Sequence, residues 1–302
     1  MSAGPLLTIG IPTYNRADSV MRRVRELLTF RDELGVRILV IDNASTDGTA
    51  TRLQEEFADS DVAILRNDEN VGYAGNLLRL IEVADTEYLT VVSDEDRVER
   101  AGLSTLLTLL DDRHPRLVSP RARVGNDDCY RGRRRTGPID PEDFESASFY
   151  VSGLTMAVSP ARQDARAVGA LLSVNAAARF YPQVLLTALA ILDGESLFLD
   201  ALVSTQVDEH PTQISSAGPG AYWFVPGRWA QFEGFEEFFS DVAARSSDSQ
   251  AAVDRMRGRL RSGVMGLLEA AAIAQFPDLA AQLRRDVPTS WRGRVRALLG
   301  RG

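Results

Sequence analysis

Apolar runs alternate with amphipathic stretches along the first part of the chain. Short continuous apolar runs predict buried strands, and apolar residues that recur at helical spacing predict the helices between them. We expect strands at residues 6–11, 36–41, 62–65 and 88–92. The first of the intervening helices is expected to be capped by Asp18. This repetition predicts an α/β fold with a doubly wound, mostly parallel sheet flanked by helices.

The pattern is less regular after residue 113. Strands are expected at residues 149–159 and 205–210, and helices at 161–172, 182–192 and 195–202. From Trp229 onward the pattern is helical, and the phenylalanines at positions 232, 235, 238 and 239 share one face.

We therefore divide the chain into a main domain, residues 1–226, and a helical carboxy-terminal extension, residues 227–302. Within the main domain, the regular strand–helix half covers residues 1–113 and the less regular half covers residues 114–226.

Composition narrows the classes of function. The net charge of -8 over 302 residues argues against a general nucleic-acid binder, because such affinity comes from neutralising phosphates. All basic residues are arginines, which excludes Schiff-base and P-loop lysine chemistry. Cys129 is the single cysteine, which fits a reducing compartment. No signal-peptide pattern is evident and no apolar run reaches the ~18 residues of a membrane span, so we expect a cytoplasmic location.

Acidic residues come directly after two of the predicted strands. Asp42 follows the second strand, and Asp94, Glu95 and Asp96 follow the fourth. The carboxyl ends of parallel strands meet at one edge, where open α/β sheets bind ligands. In an extended segment Asp94 and Asp96 point the same way, and carboxylates are suited to holding Mg²⁺ or Mn²⁺. This placement predicts a nucleoside-diphosphate site, with Asp42 accepting from the base and Tyr14 stacking on it.

Four ordered motifs resemble those of family 2 glycosyltransferases with the GT-A fold. The family's P-x-Y-N-R/K is matched by Pro12, Tyr14, Asn15 and Arg16, and its D-N/D-x-S-x-D-G-T is matched from Asp42 to Thr49. Its N-x-G-x-x-x-N is present as Asn70, Gly72 and Asn76, and its D-x-D as Asp94 and Asp96. The resemblance covers about a third of the chain and extends to transferases of bacterial surface polysaccharides of the O-antigen type.

The resemblance implies a metal-dependent, inverting transfer of a sugar from a nucleoside-diphosphate sugar to a hydroxyl acceptor. In that interpretation the nucleotide is held by Pro12, Tyr14, Arg16, Asp42, Asn70, Gly72, Asp94 and Glu95. Mn²⁺ or Mg²⁺ is held by Asp96 and Asp94, with His210 approaching the metal or the diphosphate. Glu95 is a secondary candidate for the metal.

The catalytic base departs from the family pattern. Many members carry a Glu-Asp pair whose acid deprotonates the acceptor, where this chain has the segment Phe180-Tyr181-Pro182-Gln183. The nearest acids afterwards are Asp193 and Glu195, which become the candidates for the base. The resemblance also implies a glycan or lipid-linked glycan as acceptor.

Other interpretations stay open at this point. A sugar nucleotidyltransferase uses a similar sheet but a Gly-rich amino-terminal loop, and a non-catalytic nucleotide-sugar-binding scaffold would explain the missing Glu-Asp pair. Asn70 and Asn76 also suit turn and cap positions, and Asp42 suits a turn. The basic amphipathic stretch at residues 290–301 is suited to the inner face of an anionic membrane, to its own domain or to a second subunit in a homo-oligomer.

Overall fold

The strands and helices of the first hundred residues follow the predicted alternation. The computed structural model describes residues 4–124, 129–131, 134–148, 150–207, 225–245 and 249–275. The first elements are β1 (Leu7–Thr13), α1 (Ala17–Leu28), α2 (Arg31–Leu34), β2 (Arg37–Asp42), α3 (Thr49–Glu56), β3 (Ala63–Arg66), α4 (Gly72–Val83) and β4 (Tyr88–Val91).

The elements that follow alternate less regularly. They are β5 (Asp96–Val98), α5 (Arg100–Arg113), β6 (Leu117–Val124), β7 (Cys129–Arg131), β8 (Gly137–Pro138), α6 (Phe144–Ser148), β9 (Thr155–Ala157), α7 (Val158–Gly169), α8 (Ala176–Phe180), α9 (Pro182–Asp193) and β10 (Ser196–Gln206). A 3-10 turn, Pro141–Asp143, precedes α6. Two helices, α10 (Val225–Arg245) and α11 (Gln250–Gln275), complete the described part of the chain.

The described strands form one sheet in the order β3-β2-β1-β4-β9-β6-β10-β5, with β7 on β6 and β8 on β10. β1 pairs in parallel with β2 and β4, and β2 pairs in parallel with β3. β9 is antiparallel to both β4 and β6, and β10 is parallel to β6. The six strands β1, β2, β3, β4, β6 and β10 therefore run the same way, as a mostly parallel sheet requires.

Helices cover both faces of the sheet, which confirms the doubly wound expectation. Alternate residues of β2 enter two different cores, because successive side chains of a strand point to opposite faces. Ile38 and Val40 pack with side chains of α1, α3 and α5. Leu39 and Ile41 pack in a cluster that also takes side chains from α4, α7, α9, α10 and α11.

The carboxy-terminal helices share the second of these cores. Phe232, Phe235, Phe238 and Phe239 of α10 are all buried, which confirms that they face one way. Phe239 meets Phe144 edge to face, with ring centroids 5.7 Å apart. Where α10 crosses α8, Asn175 Nδ2 donates to Gly234 O at 2.9 Å. The division at residue 226 stays a prediction.

Three local predictions were wrong. Residues 195–202 were expected to be helical, yet they lie largely in β10, because an apolar run pairs as a strand when β6 and β8 flank it. The strand expected at 149–159 is only Thr155–Ala157, and α7 begins at Val158. Asp18 lies inside α1, and it is Asp47 Oδ2 that accepts from Ala17 N at 3.2 Å.

None of the described helices is long and apolar enough to cross a membrane. The basic stretch at residues 290–301 lies outside the described residues.

Candidate functional site

The four predicted motifs meet at the carboxyl edge of β1, β2 and β4. A cleft of about 520 Å³ opens there, and seven residues predicted to bind the nucleotide line it: Pro12, Tyr14, Arg16, Asn70, Gly72, Asp94 and Glu95. Its walls also include Thr13, Asn43, Tyr73, Asn76, Ser93 and Val151. The cleft thus brings together predicted residues that are up to 83 positions apart in the chain, as parallel topology predicts.

Asp94 and Glu95 are held by Arg16. Thr13 Oγ1 donates to Asp94 Oδ2 at 2.7 Å, and Arg16 Nη1 donates to Asp94 Oδ1 at 3.0 Å. The same guanidinium nitrogen forms an ion pair with Glu95. Burial raises the pKa of Asp94, although the charge of Arg16 and the hydrogen bond from Thr13 oppose that rise. The cleft wall therefore carries two carboxylates that share one arginine as counter-ion.

Asp96 lies beneath this wall rather than on it. Its backbone N–H donates to Ser93 O at 3.0 Å, so residues 93–96 form a turn and the prediction of an extended segment was wrong. Tyr150 OH donates to Asp96 Oδ2 at 2.8 Å, while the buried Oδ1 has no well-formed hydrogen bond within the described residues. Burial raises the pKa of Asp96 to about 6, against the lowering effect of Ser152 and Tyr150.

Asp42 is fully buried and is not among the cleft-lining residues, contrary to the expectation that it meets a nucleobase directly. Its carboxylate accepts from Ser45 N at 3.2 Å and 3.4 Å, one distance to each oxygen. Arg66 Nε lies 3.6 Å from Oδ2. In this structure Asp42 closes the turn that follows β2, because a carboxylate at a strand end satisfies the N–H groups of the next residues.

An amide network holds the start of α4 against the end of β2. Asn43 Nδ2 donates to Asn70 Oδ1 at 2.8 Å, and Asn67 Nδ2 donates to Asn43 Oδ1 at 2.7 Å and to Asn76 Oδ1 at 3.1 Å. Asn70 Oδ1 also accepts from Gly72 N at 2.9 Å. Asn70 therefore has the turn role that the sequence also allowed. Asn76 does not act as a cap, because it lies inside α4, where its Nδ2 donates to Ile41 O at 3.2 Å. Both residues also border the cleft.

The loops after β1 and β2 brace each other. Asn15 takes a positive φ of 51°, a conformation that asparagine tolerates better than most residues. Asn15 N donates to Ser45 Oγ at 2.8 Å, and Thr46 N donates back to Asn15 Oδ1 at 2.8 Å. This reciprocal pair fixes the backbone on both sides of Asn15, and so places Tyr14 and Arg16 in the cleft.

The family is decided by sequence comparison. A family model described as "Glycosyl transferase family 2" matches residues 8–163, slightly more than half of the chain.

The chain belongs to this family.

Two curated relatives match part of the chain at low identity. The chain is 28% identical over 125 residues to the abequosyltransferase RfbV of Salmonella typhimurium, covering 40% of this chain and 38% of that protein. It is 24% identical over 152 residues to the GalNAc(5)-diNAcBac-PP-undecaprenol beta-1,3-glucosyltransferase of Campylobacter jejuni, covering 48% and 49%. The chain therefore matches about half or less of the length of these relatives.

A solved structure confirms the GT-A type of fold for this family 2 chain. The mannosyltransferase PcManGT of Pyrobaculum calidifontis, in complex with GDP-Man and Mn²⁺, superposes with a TM-score of 0.56. The two share 18% identity, over 99% of this chain and 79% of that one. At this identity the likeness concerns the fold alone.

The acids expected to act as the catalytic base lie at the wrong edge of the sheet. Asp193 ends α9 and Glu195 precedes β10, whereas Asp94 follows β4, which runs parallel to β10. The 11 residues of β10, at ~3.3 Å each, place them roughly 30 Å from the end that pairs with Asp96. Asp193 instead accepts from Arg116 Nε at 3.3 Å, and Glu195 pairs with Arg113. The length of the α9–β10 connection does not show, in the sequence, that the chain has returned to the amino edge of the sheet.

His210, the remaining metal candidate, lies outside the described residues. Within the described residues, no three His, Cys, Asp or Glu side chains are grouped so that they could hold a metal ion. The acids of the turn still fit a hard cation in their chemistry, because they offer carboxylate oxygens and Asp96 Oδ1 has no well-formed hydrogen bond among the described residues. A cation here would need further oxygen ligands, which a diphosphate carries.

Sequence reasoning missed two residues that shape the site. Tyr150 holds Asp96, and Tyr73 OH donates to Gln183 Oε1 at 3.4 Å. Ser152, at the start of the strand expected at 149–159, accepts at Oγ from Ser93 N at 2.8 Å. Tyr150 and Tyr73 gave no signal of their own, since each acts on a residue more than 50 positions away.

Proposed function

We propose that this chain transfers a sugar from a nucleoside-diphosphate sugar to a hydroxyl group of a glycan or lipid-linked glycan, with Mn²⁺ or Mg²⁺ as cofactor. The observation that carries the proposal is the cleft, which is lined by seven of the eight predicted nucleotide-binding residues. The two curated relatives are sugar transferases by name, one with a PP-undecaprenol acceptor in its name, and the PcManGT structure contains GDP-Man and Mn²⁺. An acceptor of that kind favours work at the inner face of the membrane.

The residues have distinct roles in this proposal. Tyr14 provides a ring on the cleft wall for stacking against the base, and Asp42 supports that wall through the turn at Ser45. Arg16 meets the diphosphate, because a guanidinium matches phosphate oxygens in pairs. Asp94 is assigned to the ribose or the cation, and Asp96 to the cation. A bound divalent cation would stabilise the charge of the leaving diphosphate.

The reaction expected of a family 2 chain is a single displacement at the anomeric carbon. The acceptor oxygen forms a bond to that carbon while the bond to the diphosphate oxygen breaks, and the acceptor's proton passes to a base. Asp193 and Glu195 are not that base, because they lie at the opposite edge of the sheet.

A thermal-shift panel of UDP, GDP, CDP and dTDP, each with and without Mn²⁺, tests the donor site. A ligand that binds only the folded state at about 100 times its Kd adds about 2.7 kcal/mol to the free energy of unfolding. We expect a metal-dependent shift with one nucleotide, lost in Asp94→Asn and kept in the matched control Asp193→Asn. No shift with any of the four would contradict the proposal.

Product analysis then separates the enzyme classes. Release of nucleoside diphosphate from a sugar nucleotide supports a glycosyltransferase, and release of pyrophosphate from a nucleoside triphosphate supports a nucleotidyltransferase. Binding of a sugar nucleotide without turnover, with glycan and polyprenyl-linked acceptors present, supports the non-catalytic scaffold. That last outcome has one structural argument, since Gln183 occupies the first turn of α9 where many family members carry an acid.

A further inference from the structure

Arg16 occupies the centre of the acidic turn. A single nitrogen, Nη1, contacts Asp94 Oδ1 at 3.0 Å and also pairs with Glu95. The Arg16 side chain is 19% exposed, and those of Asp94 and Glu95 are 4% and 14% exposed. Arg16 is thus largely enclosed between two carboxylates, yet it still lines the open cleft.

Arg16 offsets part of the negative charge that the fold brings together in this turn. Asp94, Glu95 and Asp96 are consecutive, and two of them are nearly or fully removed from water. The negative charges of neighbouring carboxylates repel each other strongly in a partly buried site. A guanidinium stays protonated at any working pH, so Arg16 is a permanent counter-ion for the turn.

A divalent cation would need the same carboxylate oxygens. Arg16 and the cation therefore compete, because two cations cannot both lie against Asp94 and Glu95 without repelling each other. A diphosphate changes this balance, since it offers Arg16 a second anionic partner within the cleft. The long arginine side chain can reach a new partner while its backbone stays at the start of α1.

We propose that Arg16 is an exchangeable counter-ion, which holds Asp94 and Glu95 in the free chain and moves to the diphosphate when nucleotide and divalent cation bind. The inference rests on the proposed function. It predicts that cation and nucleotide strengthen each other's binding. The diphosphate draws Arg16 away from the carboxylates that the cation needs, and the cation releases Arg16 to bind the diphosphate. Such coupling is reciprocal by thermodynamic necessity.

Mn²⁺ binding without nucleotide tests the counter-ion directly. The free Mn²⁺ signal in electron paramagnetic resonance measures affinity for the wild type and for Arg16→Met, Arg16→Gln and Arg16→Lys at one ionic strength. We expect the two neutral variants to bind Mn²⁺ about tenfold more tightly than the wild type, within the usual range of coupling between sites. Arg16→Lys keeps the charge and should resemble the wild type. The matched control is Arg25→Met, which breaks an exposed pair with Glu56 away from the cleft.

The same titrations with a saturating nucleoside diphosphate measure the coupling. In the wild type we expect the nucleotide to tighten Mn²⁺ binding, and in the neutral Arg16 variants we expect that gain to shrink by about tenfold. Nucleotide affinity itself should fall in those variants, because the diphosphate loses its guanidinium partner.

Neutral variants that bind Mn²⁺ alone no more tightly than the wild type would overturn the inference, as would an equal gain in Arg16→Lys. Loss of the fold in both neutral variants that Mn²⁺ does not restore would also overturn it, because a cation should satisfy the same carboxylates. The Mn²⁺ titrations without nucleotide do not depend on whether the chain binds a nucleotide. Failure of every nucleotide to bind the wild type overturns the proposed function, whereas the Mn²⁺ affinities still decide the role of Arg16.

Discussion

Asp96 is a carboxyl group held almost entirely away from water. It is 1% exposed, one oxygen accepts from Tyr150, and the other is an unsatisfied acceptor within the described residues. Burial raises the pKa of Asp96 to about 6, so at neutral pH the folded protein carries a buried negative charge. A bound cation would stabilise this buried negative charge, which is consistent with the cation role proposed for Asp96.

The raised pKa makes stability depend on pH. A carboxyl group whose pKa is raised by folding stabilises the folded state below its usual pKa, and that contribution is lost as pH rises through about 6. Asp96→Asn cannot ionise and should lack this loss. Between about pH 4 and about pH 7.5, we expect the wild type to lose about 2 kcal/mol more unfolding free energy than Asp96→Asn.

Urea unfolding at both pH values, without divalent cations, measures this difference. Asp61→Asn is the control, because the Asp61 side chain is 94% exposed and should follow the wild type at both pH values. Equal pH dependence in the wild type and Asp96→Asn would show that burial does not perturb Asp96.

Asp193 and Glu195 provide a second prediction at this scale. Both pair with arginines at the amino edge of β6 and β10, roughly 30 Å from the cleft by the length of β10 at ~3.3 Å per residue. We expect Asp193→Asn and Glu195→Gln to keep kcat and the donor KM within about twofold, since neither touches the reacting atoms. Steady-state kinetics with the donor found by the panel checks this. A hundredfold fall in kcat for either variant would return that acid to the catalytic site.

At the scale of elements, the crossing of α8 and α10 depends on one glycine. A Cβ added at Gly234 would lie 2.6 Å from Asn175 Oδ1 and 2.9 Å from Ala177 N, which is closer than real Cβ contacts allow. Asn175 also caps α8, accepting from Ala178 N at 3.0 Å. A side chain at position 234 would therefore disturb the helix crossing and the cap together.

Gly234→Ala is expected to lower the free energy of unfolding by about 2 kcal/mol, the usual cost of overpacking a tight contact. Gly258 in α11 is the matched helical control, because nothing lies within 4 Å of its Cβ position. Gly258→Ala should raise stability by roughly 0.5–1 kcal/mol through helix propensity alone. Urea unfolding of the two variants checks the contrast, and similar effects at both positions would contradict the close approach.

Most elements of the first half were predictable because their signals are local. The expected strands at 36–41, 62–65 and 88–92 lie within one or two residues of β2, β3 and β4. β1 runs on through Pro12 to Thr13, because its ladder with β2 continues after its ladder with β4 ends at Gly10. The first part of β10 was missed because its apolar run is compatible with either element, and only pairing with β6 and β8 decides for the strand.

At the scale of the whole molecule, the sheet and the carboxy-terminal helices share one core. Phe239, Met256 and Leu260 lie in the same buried cluster as Leu89 of β4. Removing α10 and α11 from the sheet would expose this cluster to water. We therefore expect the two helices to unfold together with the sheet.

The tryptophans give a direct test, because all three, Trp223, Trp229 and Trp291, belong to the last third of the chain. Trp229 and Trp291 lie after residue 226 and Trp223 lies three residues before it, so fluorescence reports on the end of the chain, while far-UV circular dichroism reports on the whole protein. We expect the two probes to give the same urea midpoint and the same slope, as a single cooperative unit does. A fluorescence midpoint at lower urea would instead support a separable region after residue 226.

The sequence alone determined the α/β class, the family and seven of the residues around the cleft, because strand patterns and turn motifs are encoded in neighbouring residues. Tertiary structure decided what depends on distant partners. Arg16 meets Asp94 from 78 positions away, and Tyr150 holds Asp96 from 54. The return of the chain to the amino edge of β10 removed Asp193 and Glu195 from the site. Such outcomes are set by which strands pair and in which direction, and no local pattern specifies that pairing.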